Sequence, residues 1–420
     1  MTTESDVADR ARASQFHSSP ALHAADDFLS REFLLVAACC RWPPSAVRDA
    51  AIRTAATGAV DWIRFLQLVQ RHRVAGLVHD ALSPAGIKPP SPIAENLAAQ
   101  ARRIARHNLF LAAETVRLQH SLETVDIPAL VLKGVPLAQL AYGSLKIKHA
   151  RDIDLLVPPN RVEAALRILG HEGYALSYPA EYLSDTQRRA VLRYAREVIL
   201  VSEGNNSPLE LQWRLTNNPL LLKGVDAYST PQSVYISEDV SVRTLAREDL
   251  FAYLCAHGAQ HAWSRLKWLA DVNALIATGA ADSVHLYRHA QERGVGVCAG
   301  QTLLLCHRLF DLILPAALTD EIQSDSRSQR LATIAVQTMA DPYAEAEAGR
   351  SLLGVTRVML AQFLLGRGWA FYVAECRVAS VRILDLIDLP LPPSLHFLYP
   401  LLRLPLWLWR RAMSAIGHKR

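Results

Sequence analysis

Between Asp27 and about Glu123 apolar residues recur at helical spacing: Phe28, Phe33, Leu34 and Val36, then Trp62, Phe65, Leu66 and Val69, then Leu97, Ile104, Leu109, Leu111 and Val116. Residues three or four apart share one face of a helix, so the pattern predicts amphipathic helices. Breaks are expected at Pro43-Pro44, at Gly58 and across Ser83 to Pro92, where proline and glycine interrupt the period. A helical N-terminal unit is therefore expected over residues 27–125. Ahead of it, MTTESDVADRARASQFHSS is acidic, serine-rich and lacks the apolar run of a secretory signal, so residues 1–26 read as a disordered tail.

The period changes at Asp126. IPALVLKG reads as a short buried strand ending in a turn, and VPLAQLAYG as the helix that follows. RDIDLLVPP reads as a second strand closed by two prolines, and NRVEAALRILGHEGY as a helix with Asn160 as its N-cap. EVILVSE and PLELQWRL flank the turn sequence GNNS and predict an antiparallel hairpin. Beyond Arg247 the helical period returns in EDLFAYLCAHGAQHAWSRLKWLADVNALIATG, with Gly279 as a stop, and continues to about Leu386. The expected fold class is α/β (α+β): a core over residues 126–245 with a small mixed sheet, embedded between helical N- and C-terminal units, the second over residues 246–386.

Residues 387–420 form an apolar and basic C-terminal segment. Its stretch SLHFLYPLLRLPLWLWRR, residues 394–411, is interrupted by Pro400, Arg403 and Pro405. A spanning helix needs about 20 predominantly apolar residues, so a membrane span is not expected. Trp407 and Trp409 beside Arg410 and Arg411 suit either a weak peripheral membrane contact or a segment docked on the helical body or a partner.

Composition fits a folded soluble chain: of 420 residues, 50% are hydrophobic and 20% charged. The net charge of +5 is small and its basic residues are dispersed, which argues against nucleic acid as a partner. The six cysteines contain no CxxC pair and fit reduced thiols in a cytoplasmic protein.

The residues with chemistry cluster in the core. In RDIDLLV, Asp152 and Asp154 are two apart on the predicted strand, so both project from one face, about 6–7 Å apart at the backbone. Two rigidly held carboxylates suit Mg²⁺ (or Mn²⁺), which takes oxygen ligands and completes its shell with waters and phosphate oxygens. Glu210 in PLELQWRL is the candidate third acid, on a strand able to pair beside the Asp strand. Lys133-Gly134 lies at a strand-to-helix turn, where free N–H groups and the helix dipole favour an anion, and Lys133 is placed to meet phosphates. Arg151 either contacts phosphate or buffers the acidic pair.

His257 and His261, four apart, share a helix face. That spacing is able to bind zinc, but no HExxH glutamate or obvious third ligand accompanies it, which favours packing against the core, or contact with nucleotide or acceptor alongside Trp263, Arg265 and Lys267. Asp271, four residues after Lys267, is expected to pair with it. Arg188, Arg189, Arg193 and Arg196 are expected on one basic helix, as a solvated face or as an acidic-acceptor or nucleic-acid surface. GxSxG and Walker-type glycine loops are absent, which removes serine-hydrolase and P-loop readings.

LKGVPLAQLAYGSLKIKHARDIDLLVPPNRVEAALRILGHEGY, followed by ELQWRL and HGAQHAWSRLKWLADV, resembles the uncharacterised nucleotidyltransferase family of bacteria, a branch of the DNA polymerase β-like superfamily, from about Phe28 to Leu286. The resemblance implies a polymerase β-like core and transfer of a nucleoside monophosphate from a nucleoside triphosphate to an unidentified small-molecule or protein acceptor. By the same resemblance Asp152 and Asp154 match the superfamily's metal ligands and Glu210 its third acid. The superfamily's usual Gly-Ser pair is replaced here by Lys133-Gly134. Two other readings stay open at this level: a nucleotide-sensing or assembly protein without turnover, and a toxin-like protein AMP-transferase.

Overall fold

The computed structural model describes residues 29–180, 182–279, 282–340 and 358–417, and the expected tail lies outside them. Five helices open the chain: α1 (Arg31–Cys39), α2 (Ala46–Ala55), α3 (Trp62–His72), α4 (Ala75–Leu82) and α5 (Ser91–Glu123). The side chains of Ser30, Ser45 and Asp61 accept N–H groups of the first turns of α1, α2 and α3, satisfying donors that a helix start leaves open. Ser91 and Pro92, expected within a break, instead form the first turn of α5, where a residue without an N–H is tolerated.

The sheet follows. Its elements are β1 (Leu130–Val131), α6 (Val135–Tyr142), β2 (Ile153–Leu156), α7 (Val162–His171), β3 (Tyr174–Tyr178), α8 (Asp185–Tyr194), β4 (Glu197–Ser202) and β5 (Pro208–Gln212). They form a mixed five-stranded sheet in the order β1-β2-β5-β4-β3, with β2 and β5 parallel and the other neighbours antiparallel. The hairpin around GNNS forms as expected. Asn160 is not an N-cap: it lies in a 3₁₀ turn, Pro159–Arg161, and α7 starts without a side-chain cap. Nor does α7 reach Tyr174, because Gly173 turns the chain at φ 83° and starts edge strand β3. A separate hairpin, β6 (Pro231–Tyr235) and β7 (Ser241–Leu245), is fixed to α5 by Gln119, which exchanges hydrogen bonds with the backbone N–H and C=O of Arg243.

Helices α9 (Arg247–Gln260), α10 (Leu266–Ala277), α11 (Ser283–Glu292), α12 (Gly296–Phe310), α13 (Ala316–Ser324) and α14 (Ser326–Ala340) follow. Phe33 and Phe65 share one buried cluster with Phe251, Leu269 and Leu305, so helices before and after the sheet pack on each other. Helix α5 joins this cluster through Leu97 and Ile104, and its later residues Leu111, Leu118 and Leu122 cover the sheet. The turn from α9 to α10 is tight: Trp263 adopts φ 48°, and its N–H donates to Gly258 O at 2.8 Å. Its indole then fills the space beside Gly258, where an added methyl would lie 2.3 Å from Trp263 Cη2.

Helices α15 (Trp369–Ser380), α16 (Ile383–Asp388) and α17 (Tyr399–Gly417) complete the described chain. The prolines do not break the C-terminal stretch as expected, since α17 runs on with Pro405 inside it. Its base is docked: Tyr399 Oη donates to Leu389 O at 2.7 Å, and Arg410 pairs with Asp385 and Asp388 at 2.6 Å each. Its outer face is apolar and open, with Leu401 74% and Leu404 63% exposed. Among the described residues, no helix is long and apolar enough to cross a membrane.

Candidate active site

The parallel pairing of β2 with β5 sets the floor of the site. Asp154 and Glu210 are register partners, so their side chains leave the same face of neighbouring strands, about 4.8 Å apart at the backbone. Gln212, two residues further along β5 and on that same face, donates from Nε2 to Asp154 Oδ1 and Glu210 Oε2, each at 3.2 Å. Asp152 does not lie on the strand as expected: it occupies a bend one residue before β2, partly exposed. It still borders the same cavity as Asp154 and Glu210.

Lys133 and Gly134 close this floor from β1. Leu132 N–H donates to Asp154 O, which holds the segment after β1 against β2. Lys133 Nζ then sits 2.9 Å from Asp154 Oδ1. Gly134 adopts φ 64° and ψ −119° at the start of α6, a backbone conformation that side chains resist. The turn therefore delivers a lysine and the N-terminus of α6 to one spot, as expected.

Burial and charge oppose each other here. Burial would discharge Lys133, but Asp154, with Tyr253, Glu210 and Asp152 behind it, raises its pKa well above the ordinary value. Asp154 moves up to about 6, because burial outweighs the attraction of Lys133 and Glu210 adds like-charge repulsion. Burial and the charge of Asp154 also raise Asp152, against the pull of Lys133. Lys267 falls to about 7 through burial and the repulsion of Lys148, with Asp271 and Asp152 pulling the other way. His257 is driven well below its usual value by burial and by Lys133, so its ring is neutral at pH 7.

These residues surround a cavity of about 200 Å³, lined by Lys133, Gly134, Asp152, Asp154, Glu210, His257, His261 and Lys267 among others. Helix α9 ends at Gln260, so His261 caps it, with its ring centroid 4.7 Å from that of His257. Trp268 packs on both, with centroids 5.5 Å and 5.2 Å away. Three expected residues are placed elsewhere. Arg151 is exposed and does not line this cavity, although its neighbour Asp152 does. Arg265 also stays outside the lining, its guanidinium 5.8 Å from the ring centroid of Trp268. Trp263 is fully buried and cannot stack on a ligand base.

Two further expectations change. Asp271 does not pair with Lys267: its carboxylate takes Lys148 Nζ at 2.6 Å and Tyr142 Oη at 2.9 Å, while Lys267 Nζ reaches His149 O at 3.5 Å. Arg196 is not on the basic helix, which ends at Tyr194, leaving Arg188, Arg189 and Arg193 exposed. Arg196 enters the cavity wall, donating to Leu215 O at 3.1 Å and pairing with Glu197.

Lys148, His149, Arg196, Gln212, Tyr253 and Trp268 were missed in the sequence. Two of them carried a signal. Gln212 follows Glu210 at the strand period of two, and Tyr253 precedes His257 at the helical spacing of four. Lys148, His149 and Arg196 depend on loop paths, and Trp268 on how α10 packs against α9, none of which a local pattern encodes.

The donor set suits a hard cation. Asp154 Oδ2 and Gln212 Oε1 are buried without a hydrogen-bond partner, as are Tyr253 Oη and His257 Nδ1. Orphaned buried polar atoms are costly, and beside a cavity a bound ion, water or ligand can supply the missing partner. Among the described residues no three His, Cys, Asp or Glu side chains converge as a ready-made metal cage, for His257 and His261 or elsewhere. Mg²⁺ does not require one, since it binds through one or two carboxylates together with waters and substrate phosphates. Asp152, Asp154 and Glu210 are the residues that could hold it.

No curated protein matches the chain. A family model described as uncharacterised nucleotidyltransferase matches residues 58–311, which include every lining residue named above. With more than half its length covered, the chain belongs to the uncharacterised nucleotidyltransferase family.

Proposed function

We propose that this protein is a metal-dependent nucleotidyltransferase with a DNA polymerase β-like core, moving a nucleoside monophosphate from a nucleoside triphosphate to a hydroxyl-type acceptor and releasing pyrophosphate. The observation that carries the reading is the in-register pair Asp154 and Glu210, with Lys133 on Asp154 and the Gly134 turn above them. A divalent cation, once bound, supplies Lewis-acid charge to the phosphate oxygens. Asp152 and Asp154 hold it, and Glu210 completes the set or takes the acceptor proton.

Lys133 and the N-terminal N–H groups of α6 orient the triphosphate. The acceptor oxygen bonds to the α-phosphorus as the bond to the β-phosphate bridge breaks, and the hydroxyl proton passes to a carboxylate or water. Positioning and charge neutralisation provide most of the rate. The neutral His257 and the Trp268 face form the wall against which nucleotide or acceptor rests. The enzyme acts in the cytoplasm, with the open apolar face of α17 as a weak peripheral membrane contact.

The test is incubation with α-labelled nucleoside triphosphates and cell extract. An enzyme labels an acceptor and Asp152→Ala does not, whereas a sensing or assembly protein binds Mg²⁺-nucleotide and labels nothing. Label on protein rather than on a small molecule would point to a protein AMP-transferase.

A further inference from the structure

The segment His149-Ala150-Arg151-Asp152 is a partition. Ala150 and Asp152 border the acid-bearing cavity, Arg151 borders a second cavity of about 700 Å³, and His149 borders both. Arg73 also lines both, so the two spaces meet along that edge. Adjacent Cα atoms are only about 3.8 Å apart, so Arg151 on one side and Asp152 on the other set the two cavities side by side.

The second cavity is basic throughout. Arg73, Arg103, Arg106 and Arg151 line it with His149, and no carboxylate does. Asn96, Gln100, Arg103 and Arg106 recur at three- and four-residue steps and so share one face of α5. Arg73 enters from the end of α3, where it adopts φ 56°, in the left-handed region that glycine usually fills. Among the described residues no acid pairs with Arg103, Arg106 or Arg151, although surface arginines elsewhere on the chain have such partners, as Arg117 does in Glu114 and Arg288 in Glu321. Clustered guanidinium groups without acids repel one another and suit a doubly charged oxyanion such as a phosphate monoester, whose oxygens their planar forks can bind in pairs. His149 feels positive charge from both sides: burial, then Lys267 and Lys148 of the acid-bearing cavity, then Arg151 and His107, pull its pKa down to about 4.

We infer that this second cavity is the acceptor subsite, and that the acceptor is a small molecule carrying a phosphate monoester or comparable dianion, held by Arg103, Arg106 and Arg151 while its hydroxyl reaches past His149 to the acidic floor. This rests on the nucleotidyltransferase reading above. The donor triphosphate has its own countercharges in Lys133, Lys267 and the metal. A nucleoside has no charge to answer four arginines.

The experiment uses the full chain and titration calorimetry with three probes: α-glycerophosphate, glycerol, and Mg²⁺-ATP. The wild type is expected to bind α-glycerophosphate and not glycerol. Arg103→Ala/Arg106→Ala is expected to weaken α-glycerophosphate by about tenfold or more, the worth of one lost charge-assisted contact, while Mg²⁺-ATP changes less than about twofold. Both sites lie on a helix surface where alanine is well tolerated. Arg103→Lys/Arg106→Lys should restore part of the binding, which a folding defect would not allow. Equal α-glycerophosphate binding by wild type and the alanine pair would overturn the inference. So would a parallel loss of Mg²⁺-ATP, which would give the cavity to the donor triphosphate, or a single-stranded oligonucleotide that binds about 100-fold tighter than the monoester with the same arginine dependence. Wild type that binds α-glycerophosphate through these arginines but never binds Mg²⁺-ATP would instead sink the donor reading and with it the acceptor role, leaving a plain anion site.

Discussion

The two cavities that meet at His149 solve opposite electrostatic problems within one small region. In the acid-bearing cavity the charges are buried and interlocked: Asp154 lies against Lys133, Gln212 bridges Asp154 and Glu210, and Lys133 and Asp154 act on each other's protonation. In the basic cavity the charges are exposed and, among the described residues, Arg103, Arg106 and Arg151 have no acid to answer them. Substitution in the first should therefore alter chemistry and fold together. Substitution in the second should change ligand affinity and leave stability almost untouched, since exposed charges contribute little to folding.

The largest effect is expected at Asp154. Asp154→Asn should cut nucleotidyl transfer by about 10²–10³-fold, the scale seen when a preorganised electrostatic group is removed from a reacting centre. Steady-state label transfer checks this, and residual activity near wild type would separate the acid pair from the chemistry. Next comes Lys148→Met, which leaves the Asp271 carboxylate buried beside Tyr142 without its cation. Breaking a buried pair in this way costs about 3–5 kcal/mol, so urea unfolding should show a large drop in stability. A small drop would mean that water reaches Asp271.

Much of the acid-bearing cavity was legible in the sequence because strand alternation and one glycine encode it locally. Asp152 and Asp154 could be put on one face from the period of two, Glu210 on a strand able to pair beside theirs, and Lys133-Gly134 at a turn from the change of period. Asp152 was placed on the strand and lies one residue before it, the usual uncertainty of an element end. The basic cavity was not legible. Its arginines come from α3, α5 and the 149–152 segment, and only the packing of these elements brings them together. Arg196 and Asp271 were misassigned for the same reason, since neighbours in sequence proposed partners that tertiary contacts replaced. The β6-β7 hairpin escaped because its exposed positions mask its alternation.

A smaller, pH-dependent effect is expected at Lys267. Its pKa falls from 10.5 to about 7 in the fold, so between those values the unfolded chain holds a proton that the folded chain lacks. Stability from this group thus rises as pH increases from about 7 towards 10.5, and its cost is fully present below 7. A triphosphate bound beside it favours the charged form, so Mg²⁺-ATP binding at pH 8 should take up a proton. Calorimetry in buffers of different ionisation enthalpy should detect that uptake in the wild type and not in Lys267→Met. Equal uptake by both would place the triphosphate away from Lys267. The smallest effect is expected at the open face of α17. Leu401→Ser/Leu404→Ser should reduce weak partitioning onto anionic vesicles in a flotation assay without changing label transfer, and unchanged partitioning would remove the membrane contact.

The central claim is that the Asp152, Asp154 and Glu210 face, with Lys133-Gly134 above it, transfers a nucleoside monophosphate. Release of pyrophosphate coupled to label transfer from an α-labelled nucleoside triphosphate, for wild type beside Asp152→Ala at equal folded concentration, tests it most directly. The account predicts a labelled acceptor and stoichiometric pyrophosphate with wild type and neither with the variant. Identical behaviour of the two proteins, or wild type that binds no Mg²⁺-nucleotide, would contradict it.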